Sequence, residues 1–259
     1  MQGVERIWED AAVEVHRLVV GPIDNNVYVV RCRRTGDALL IDAANEHERL
    51  LEVCEALGVR TVVETHGHWD HVAAVGAVRE AGYDVAVRAE DAAMLESYDQ
   101  LLEDDDVIEV GRVRVRTVHT PGHTPGSICF AVEGTPLFFS GDTLFPGGPG
   151  NTATELGDFS TIIRSITERI YARYPDETIV LPGHGAMTTV GAERPFLDEW
   201  VSIPMAGRAE SLNVSVSAAV LCFEMLRLRR QSDEASPAST MPAMGTPEQE
   251  RVHPQGRRA

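Results

Sequence analysis

Residues 65–71 read Thr65-His66-Gly67-His68-Trp69-Asp70-His71, so three imidazoles and one carboxylate fall within six positions. A strand-like run at residues 60–64 leads into this stretch, and a helix-like run rich in Ala and Val at residues 72–81 follows it. Turns between a strand and a helix are where α/β proteins place reactive side chains. Since imidazole and carboxylate are suitable ligands for zinc, iron and manganese, the stretch predicts a metal site in such a turn.

Three more candidate ligands lie downstream, each in a glycine-containing turn that follows a β-like stretch. They are His123 in TPGHT, Asp142 in SGDTLF and His184 in LPGHG. Five of the 9 histidines of the chain therefore fall in these motifs. A single H-x-H pair is a weak signal, whereas four separated motifs in one order are a strong one.

The ordered set THGHWDH, TPGHT, GDTLF and PGHG resembles the metallo-β-lactamase-fold hydrolases, and most closely their glyoxalase II-like branch. The resemblance covers roughly residues 13–200. It implies an α/β fold of the αββα type, a four-layer sandwich in which two β-sheets pack face to face with helices outside. The alternation of predicted strands and helices along this region agrees with that architecture.

The resemblance also implies a role for each motif residue. The resemblance implies two divalent metal ions. Zinc is the expected metal, iron and manganese are alternatives, and the sequence does not decide between one ion and two. A hydroxide between the ions would attack a carbonyl group, so no Ser or Cys nucleophile is needed, and the chain has no G-x-S-x-G motif. Asp70 and Asp142 are the implied catalytic carboxylates, although Asp70 is also placed to cap a helix. The implied ligand sets are His66, His68 and His123 for the first metal, Asp70, His71 and His184 for the second, and Asp142 as the bridge.

Several functions stay open on the sequence alone. The resemblance favours hydrolysis of a small-molecule thioester, lactone or other acyl ester. The family loop often reads GDTLFxGGxGR, whereas this chain has GGPGNT with Asn151 in place of the Arg, which puts a glutathione substrate in doubt. Persulfide dioxygenases share the fold and hold one iron through two His and one Asp. An RNA-directed nuclease or methyltransferase is a third reading, which the net charge of −17 opposes.

The chain divides into three predicted parts: a hydrolase domain at residues 1–200, a fragment at 201–231 and a tail at 232–259. The fragment resembles the C-terminal end of SpoU-type RNA methyltransferases, with IPM at 203–205 and SLNVS at 211–215, and a helix is predicted at 214–228. The chain has no methyl-donor loop outside the hydrolase region, so methyl transfer is not expected. The tail is rich in Ser, Pro and charge, which predicts disorder.

Composition points to a cytoplasmic protein without a membrane partner. The four cysteines form no C-x-x-C motif, which fits a reducing compartment. The N-terminus lacks the basic and apolar regions of a signal peptide, and no run of about 18 apolar residues predicts a membrane span. The sequence does not determine the oligomeric state.

Hydrophobic patterning predicts the secondary structure of the hydrolase region. Helices are predicted at residues 46–57, with Gly58 as a C-terminal cap, and at 90–101 and 159–174. The acidic run at 103–106 is predicted to be a solvated turn. Strands are predicted at residues 13–20, 26–32, 38–42, 61–64, 84–88, 113–118, 127–132, 136–139 and 178–181.

Overall fold

The computed structural model of the chain describes residues 3–198, with the side chains through residue 195. Its first sheet has seven strands that neighbour one another in chain order. The pairs among the first four are antiparallel, and the last three pairs are parallel. The strands are β1 (Val4–Glu9), β2 (Val13–Val20), β3 (Asn25–Cys32), β4 (Ala38–Ile41), β5 (Val59–Val63), β6 (Asp84–Arg88) and β7 (Gln100–Leu102).

The second sheet has six strands and is antiparallel except for one pair. Its strands are β8 (Val107–Val110), β9 (Val113–His119), β10 (Ile128–Val132), β11 (Leu137–Gly141), β14 (Ile179–Pro182) and β15 (Thr188–Thr189). They run in the order β15-β14-β11-β10-β9-β8, with β11 and β14 parallel. A small hairpin follows β11 and consists of β12 (Leu144–Phe145) and β13 (Gly148–Pro149).

The helices lie in the connections between strands. Between β4 and β6 lie α1 (His47–Leu57), α2 (Trp69–Val72) and α3 (Val75–Glu80). Later come α4 (Phe159–Ser165), which continues as a π-helical turn (Ile166–Tyr171), and α5 (Val190–Asp198). Within residues 3–198, no helix is long and apolar enough to span a bilayer.

The alternation of side chains along the strands creates three separate hydrophobic layers. In β4, Leu39 and Ile41 face the core between the two sheets, whereas Leu40 faces the core beneath α1 and α3. In β11, Phe139 faces the core between the sheets and Phe138 faces the helices after β13. Both faces of a central strand are therefore apolar, as a sheet covered on both sides requires. The predicted αββα sandwich is confirmed.

Strand direction gathers the motif turns at one rim of the sandwich. The turn at residues 64–71 follows the carboxyl end of β5, and Asp42 follows the parallel neighbour β4. In the second sheet β9, β11 and β14 run in the same direction, because β10 is antiparallel to both of its neighbours. The turns after these three strands carry His123, Asp142 and His184. All of the motif residues therefore lie where carboxyl ends of strands meet.

Two helix predictions differ from the structure. The predicted helix at 90–101 is wrong: only a 3₁₀ turn (Ala92–Met94) forms there, and β7 follows. The carboxylate of Asp99 accepts hydrogen bonds from Val85 N and Arg79, which ties the segment to the sheet edge instead. The helix-like run at 72–81 begins earlier than predicted, at Trp69, and is interrupted between α2 and α3.

Two further sequence predictions agree with the structure, and three concern residues outside the described range. Helix α1 ends at Gly58, which has a φ of 76° and serves as the predicted cap. The acidic segment at 103–106 contains a turn, as predicted. The fragment at 201–231, its helix at 214–228 and the tail at 232–259 lie outside the described residues and stay predictions.

Candidate metal centre

The first group of ligand atoms comes from two turns that follow strands of different sheets. His66 and His68 follow β5, and His123 follows β9. His68 Nδ1 lies 2.8 Å from His123 Nε2, and His66 Nε2 lies 3.2 Å from the same atom. One ligand atom from each of the three residues fits within a span of 4.8 Å. Three ring nitrogens therefore converge on one point.

A second group lies beside the first. His71 Nε2 lies 3.2 Å from His184 Nε2, and Asp70 Oδ2 lies 3.3 Å from each of these two nitrogens. Asp142 stands between the groups, with Oδ1 3.5 Å from His71 Nε2 and Oδ2 3.6 Å from His123 Nε2. The structure thus brings together all seven residues that the sequence motifs singled out.

Backbone carbonyls fix the ring orientation of two histidines. His123 donates from Nδ1 to the carbonyl of Asn151 at 2.7 Å, and His184 donates from Nδ1 to the carbonyl of Ile23 at 3.1 Å. A neutral imidazole that donates from one nitrogen has a free lone pair on the other. Each ring therefore presents Nε2 as an acceptor to the centre, which is the state that a metal requires.

Asp42 orients two further histidines, and the sequence motifs did not include it. Its carboxylate is buried and accepts from Thr65 N at 2.7 Å, Thr65 Oγ1 at 2.9 Å and His71 Nδ1 at 2.8 Å. Since the Thr65 hydroxyl donates to Asp42, it accepts from His66 Nδ1 at 3.0 Å. Both histidines consequently turn Nε2 toward the centre. A lone Asp at the end of a strand carries no ligand spacing, so the sequence offered no signal for this role.

A buried amide supports the second group. Asn25 Nδ2 donates to Asp70 Oδ2 at 2.9 Å and lies 3.4 Å from His184 Nε2. Asp70 does not cap α2, because His68 occupies the cap position and the helix has no side-chain cap. The carboxylate of Asp70 therefore faces the histidines, and the alternative capping role is wrong. Asn25 was also missed from the sequence, where it looks like an ordinary turn residue.

Asp91 joins the two turns that carry the first group. It is fully buried, and its carboxylate accepts from Gly67 N at 2.9 Å, Thr124 Oγ1 at 2.6 Å and Gly126 N at 2.7 Å. A Cβ atom at Gly126 would lie 2.6 Å from Asp91 Cγ, so only glycine permits this approach. Gly67 lies between His66 and His68 in the chain, and Thr124 follows His123. Asp91 therefore holds the two turns in register.

The electrostatics of the group suit a cation. Burial and the neighbouring histidines lower the pKa of His66 well below its ordinary value, which keeps that ring neutral. Burial opposes charge on His71, but Asp42 and Asp142 outweigh it and raise the pKa of His71 to about 9. Burial also opposes charge on Asp70, yet the hydrogen bond from His184 and the charge of His71 hold its pKa well below the usual range. The centre therefore combines an ionised Asp70 with a neutral His66 and with a His71 that holds a proton at neutral pH, which a metal ion at Nε2 would displace.

The donor set fits divalent metal ions. Asp142 Oδ1 is buried and has no hydrogen-bond partner, although a buried carboxylate oxygen without one is costly. Ring nitrogens with free lone pairs face one another at 2.8–3.2 Å, which is unfavourable unless a cation or proton lies between them. Imidazole nitrogen and carboxylate oxygen are the ligands of zinc and of non-haem iron. His119 lies outside the groups and contacts the carbonyl of Pro125.

Comparison with known proteins gives the family. The family model described as "Metallo-beta-lactamase superfamily" matches residues 20–184. A hydroxyacylglutathione hydrolase from Polaromonas sp. is 36% identical over 186 residues, which cover 70% of this chain and 66% of that protein. A probable metallo-hydrolase, YqgX from Bacillus subtilis, is 32% identical over 207 residues, which cover 70% of this chain and 96% of that protein.

A solved structure supports the same placement. The crystal structure of ETHE1 from Myxococcus xanthus has a TM-score of 0.64 and 28% identity, covering 71% of this chain and 83% of that one. The matched range of the family model ends before residue 201, so the methyltransferase-like fragment gains no support from it. Fold, ligand geometry and similarity agree, and the chain belongs to the metallo-β-lactamase superfamily.

Proposed function

We propose that this protein is a hydrolase that uses two divalent metal ions to cleave a thioester or a related acyl ester. Zinc is the favoured metal. The observation that carries the proposal is the pair of adjacent ligand groups with Asp142 between them. His66, His68 and His123 would hold one ion, and Asp70, His71 and His184 would hold the other. Bound there, the ions would supply a water of lowered pKa and a Lewis acid for the carbonyl oxygen.

The residues of the chain do the positioning. Asp142 lies between the two ligand groups and would serve both ions, and its negative charge would reduce their mutual repulsion. Asn25 holds Asp70 Oδ2 through its side-chain amide, so that carboxylate keeps one orientation. Asp42 fixes the ring of His71 through Nδ1. These contacts keep the ligand atoms in place before the substrate arrives.

The side chains around the centre argue against a covalent route, and the chemistry of the leaving group favours a thioester. Among the described residues that line the cavity over the centre, none is Ser or Cys, and the hydroxyl of Thr154 has no hydrogen-bond partner that could act as a base. A covalent acyl-enzyme route therefore has no activated nucleophile. A thiol leaves as the thiolate near neutral pH, since its pKa is about 8–9. Thioester cleavage thus needs no separate acid for the leaving group.

The test combines metal content with turnover of the full-length protein. We expect elemental analysis to find about two divalent ions per chain, as in two-metal hydrolases, and thiol release from a thioester that stops when a chelator removes the metal. His66→Ala should lose both metal and turnover, because it removes a ligand of the first group. His47→Ala is the matched control, since His47 is exposed at the start of α1. Wild-type metal content and turnover in His66→Ala would contradict the proposal.

A second candidate is a mono-iron persulfide dioxygenase. The similarity to ETHE1 from Myxococcus xanthus favours it, and the candidate centre contains enough His and Asp side chains for a ligand set of two His and one Asp. Oxygen uptake on a persulfide, with one iron per chain and no thiol release from thioesters, would support this candidate. Thioester turnover without oxygen uptake would support the hydrolase.

A further inference from the structure

A cavity of about 510 Å³ opens over the candidate metal centre, and part of its wall is apolar. Apart from the proposed ligands it includes Ile23, Trp69, Met94 and Leu156. The exposed fractions are 49% for Ile23, 62% for Trp69 and 46% for Leu156, so these side chains face solvent when the cavity is empty. An apolar ligand would cover this surface, and removal of apolar surface from water favours binding.

The charge of the wall is unfavourable for anions. Its remaining side chains are Asn151, Thr154 and Glu155, so the charged one among them is acidic. No arginine occurs among the described residues that line the cavity, and the chain has no lysine. Among these described residues, a substrate carboxylate would lose water without gaining an arginine or lysine partner. Glu155 would repel it as well.

The metal ions would not offset this cost for a glutathione conjugate. Their charge would act at the acyl carbonyl, which must lie against the metal centre for hydrolysis. Both carboxylates of glutathione belong to the residues on either side of the cysteine that bears the sulfur. They would therefore lie beyond the sulfur, where the exposed lining residues Trp69, Glu155 and Leu156 are the described side chains available to meet them.

We infer that the thiol part of the natural substrate is apolar and carries no negative charge, so that glutathione conjugates are poor substrates. The inference rests on the proposed thioester hydrolysis and names the substrate class of that site. It follows from exposed apolar side chains around the cavity together with the absence of an arginine or lysine among its described lining residues.

Binding can be measured without turnover. S-hexyl-N-acetylcysteamine and S-hexylglutathione are thioethers that cannot be hydrolysed, and they differ in the charge of the thiol part. Calorimetric titration of the metal-loaded, full-length protein at low salt should give a Kd at least about tenfold lower for the neutral compound. The difference should shrink as salt screens the repulsion by Glu155. Equal or tighter binding of S-hexylglutathione would overturn the inference.

Turnover separates failure of the inference from failure of the proposed function. The S-hexanoyl thioesters of the same two thiols are compared by kcat/KM, and the neutral one should be favoured at least about tenfold, as its binding is. If neither ester releases thiol, the proposed hydrolase activity fails and the inference fails with it. If the glutathione ester is cleaved as well as the neutral one, the hydrolase stands and the inference alone fails.

Two variants locate the effect in the cavity wall. Leu156→Ala should lower kcat/KM for the neutral ester by roughly three- to tenfold, mainly through KM, because part of the apolar wall is lost. Leu101→Ala is the matched control: Leu101 lies on β7, is 47% exposed and does not line the cavity. Glu155→Arg should raise kcat/KM for the glutathione ester several-fold by supplying a cation. Equal behaviour of Leu156→Ala and Leu101→Ala, or no gain in Glu155→Arg, would overturn the inference.

Discussion

Replacement of Asp91 should weaken metal binding although Asp91 is not a proposed ligand. Its buried carboxylate accepts three hydrogen bonds from the two turns that carry His66, His68 and His123. Without these bonds the turns can separate, and the three ring nitrogens no longer converge. The variants of interest are Asp91→Ala, which removes the carboxylate, and Asp91→Asn, which keeps its shape and removes its charge.

The expected cost follows from the donors that are left behind. Each buried donor that loses its partner costs about 1–3 kcal/mol. Asp91→Ala leaves Gly67 N and Gly126 N unpaired, whereas Thr124 keeps Ser127 Oγ at 2.7 Å. Two such donors give about 4 kcal/mol of lost stability. Asp91→Asn keeps one acceptor oxygen but turns an amide NH₂ toward a donor, so we expect a loss of about 2 kcal/mol.

The assay measures stability and metal affinity separately. Urea unfolding of the metal-free protein gives the free energy of unfolding, and competition with a chromophoric chelator gives the metal affinity. The metal affinity of both Asp91 variants should fall about 10–100-fold, as it does when other residues that orient metal ligands are replaced. Asp10→Ala is the control, because Asp10 accepts from Ala12 N and Val13 N in the turn between β1 and β2, far from the centre in the chain. It should lose about 1 kcal/mol and keep its metal affinity. If Asp91→Asn binds metal as tightly as Asp10→Ala does, the positioning role is wrong.

Three further predictions concern the centre and the chain end. Asp142→Asn should bind fewer than two metal ions and lose most turnover, because the negative charge between the ions is gone. Elemental analysis and thiol release measure this, and full metal loading with normal turnover would contradict the bridging role of Asp142. Gly183→Ala should reduce metal content, since its Cβ would lie 2.4 Å from Asp142 Oδ1 and 2.7 Å from His71 Cε1. Gly185→Ala meets no atom within 4 Å but has a φ of 72°, so it should lose some stability and keep its metal. Truncation after Trp200 should leave thioester turnover largely intact, because all proposed ligands precede it; a folded, metal-loaded but inactive product would contradict this.

Local patterning determined most strands and the main ligand positions. Strands β4 and β11 are apolar on both faces, so they were recognisable as central strands without a structure. The motif residues follow such strands, and glycines in each turn mark the places where the backbone bends sharply. The predicted helix at 90–101 failed because its pattern of apolar residues also fits a 3₁₀ turn and an edge strand. The side chain of Asp99, which pairs with Arg79 and the backbone of Val85, selects the strand.

The sequence by itself predicted which residues the structure brings together, and the tertiary structure decided how they are held. Histidines spaced as H-x-H-x-D-H are recognisable because ligation imposes a spacing along the chain. Asp42, Asn25 and Asp91 have no such spacing, since their side-chain partners in the centre lie at least 23 positions away along the chain. 

Only the folded chain brings such groups into contact, because a hydrogen bond between distant residues depends on the packing of the two sheets and leaves no periodic trace in the sequence. The apolar wall of the cavity was decided in the same way, since Ile23, Trp69 and Leu156 come from three separate turns that meet only when the strands are assembled.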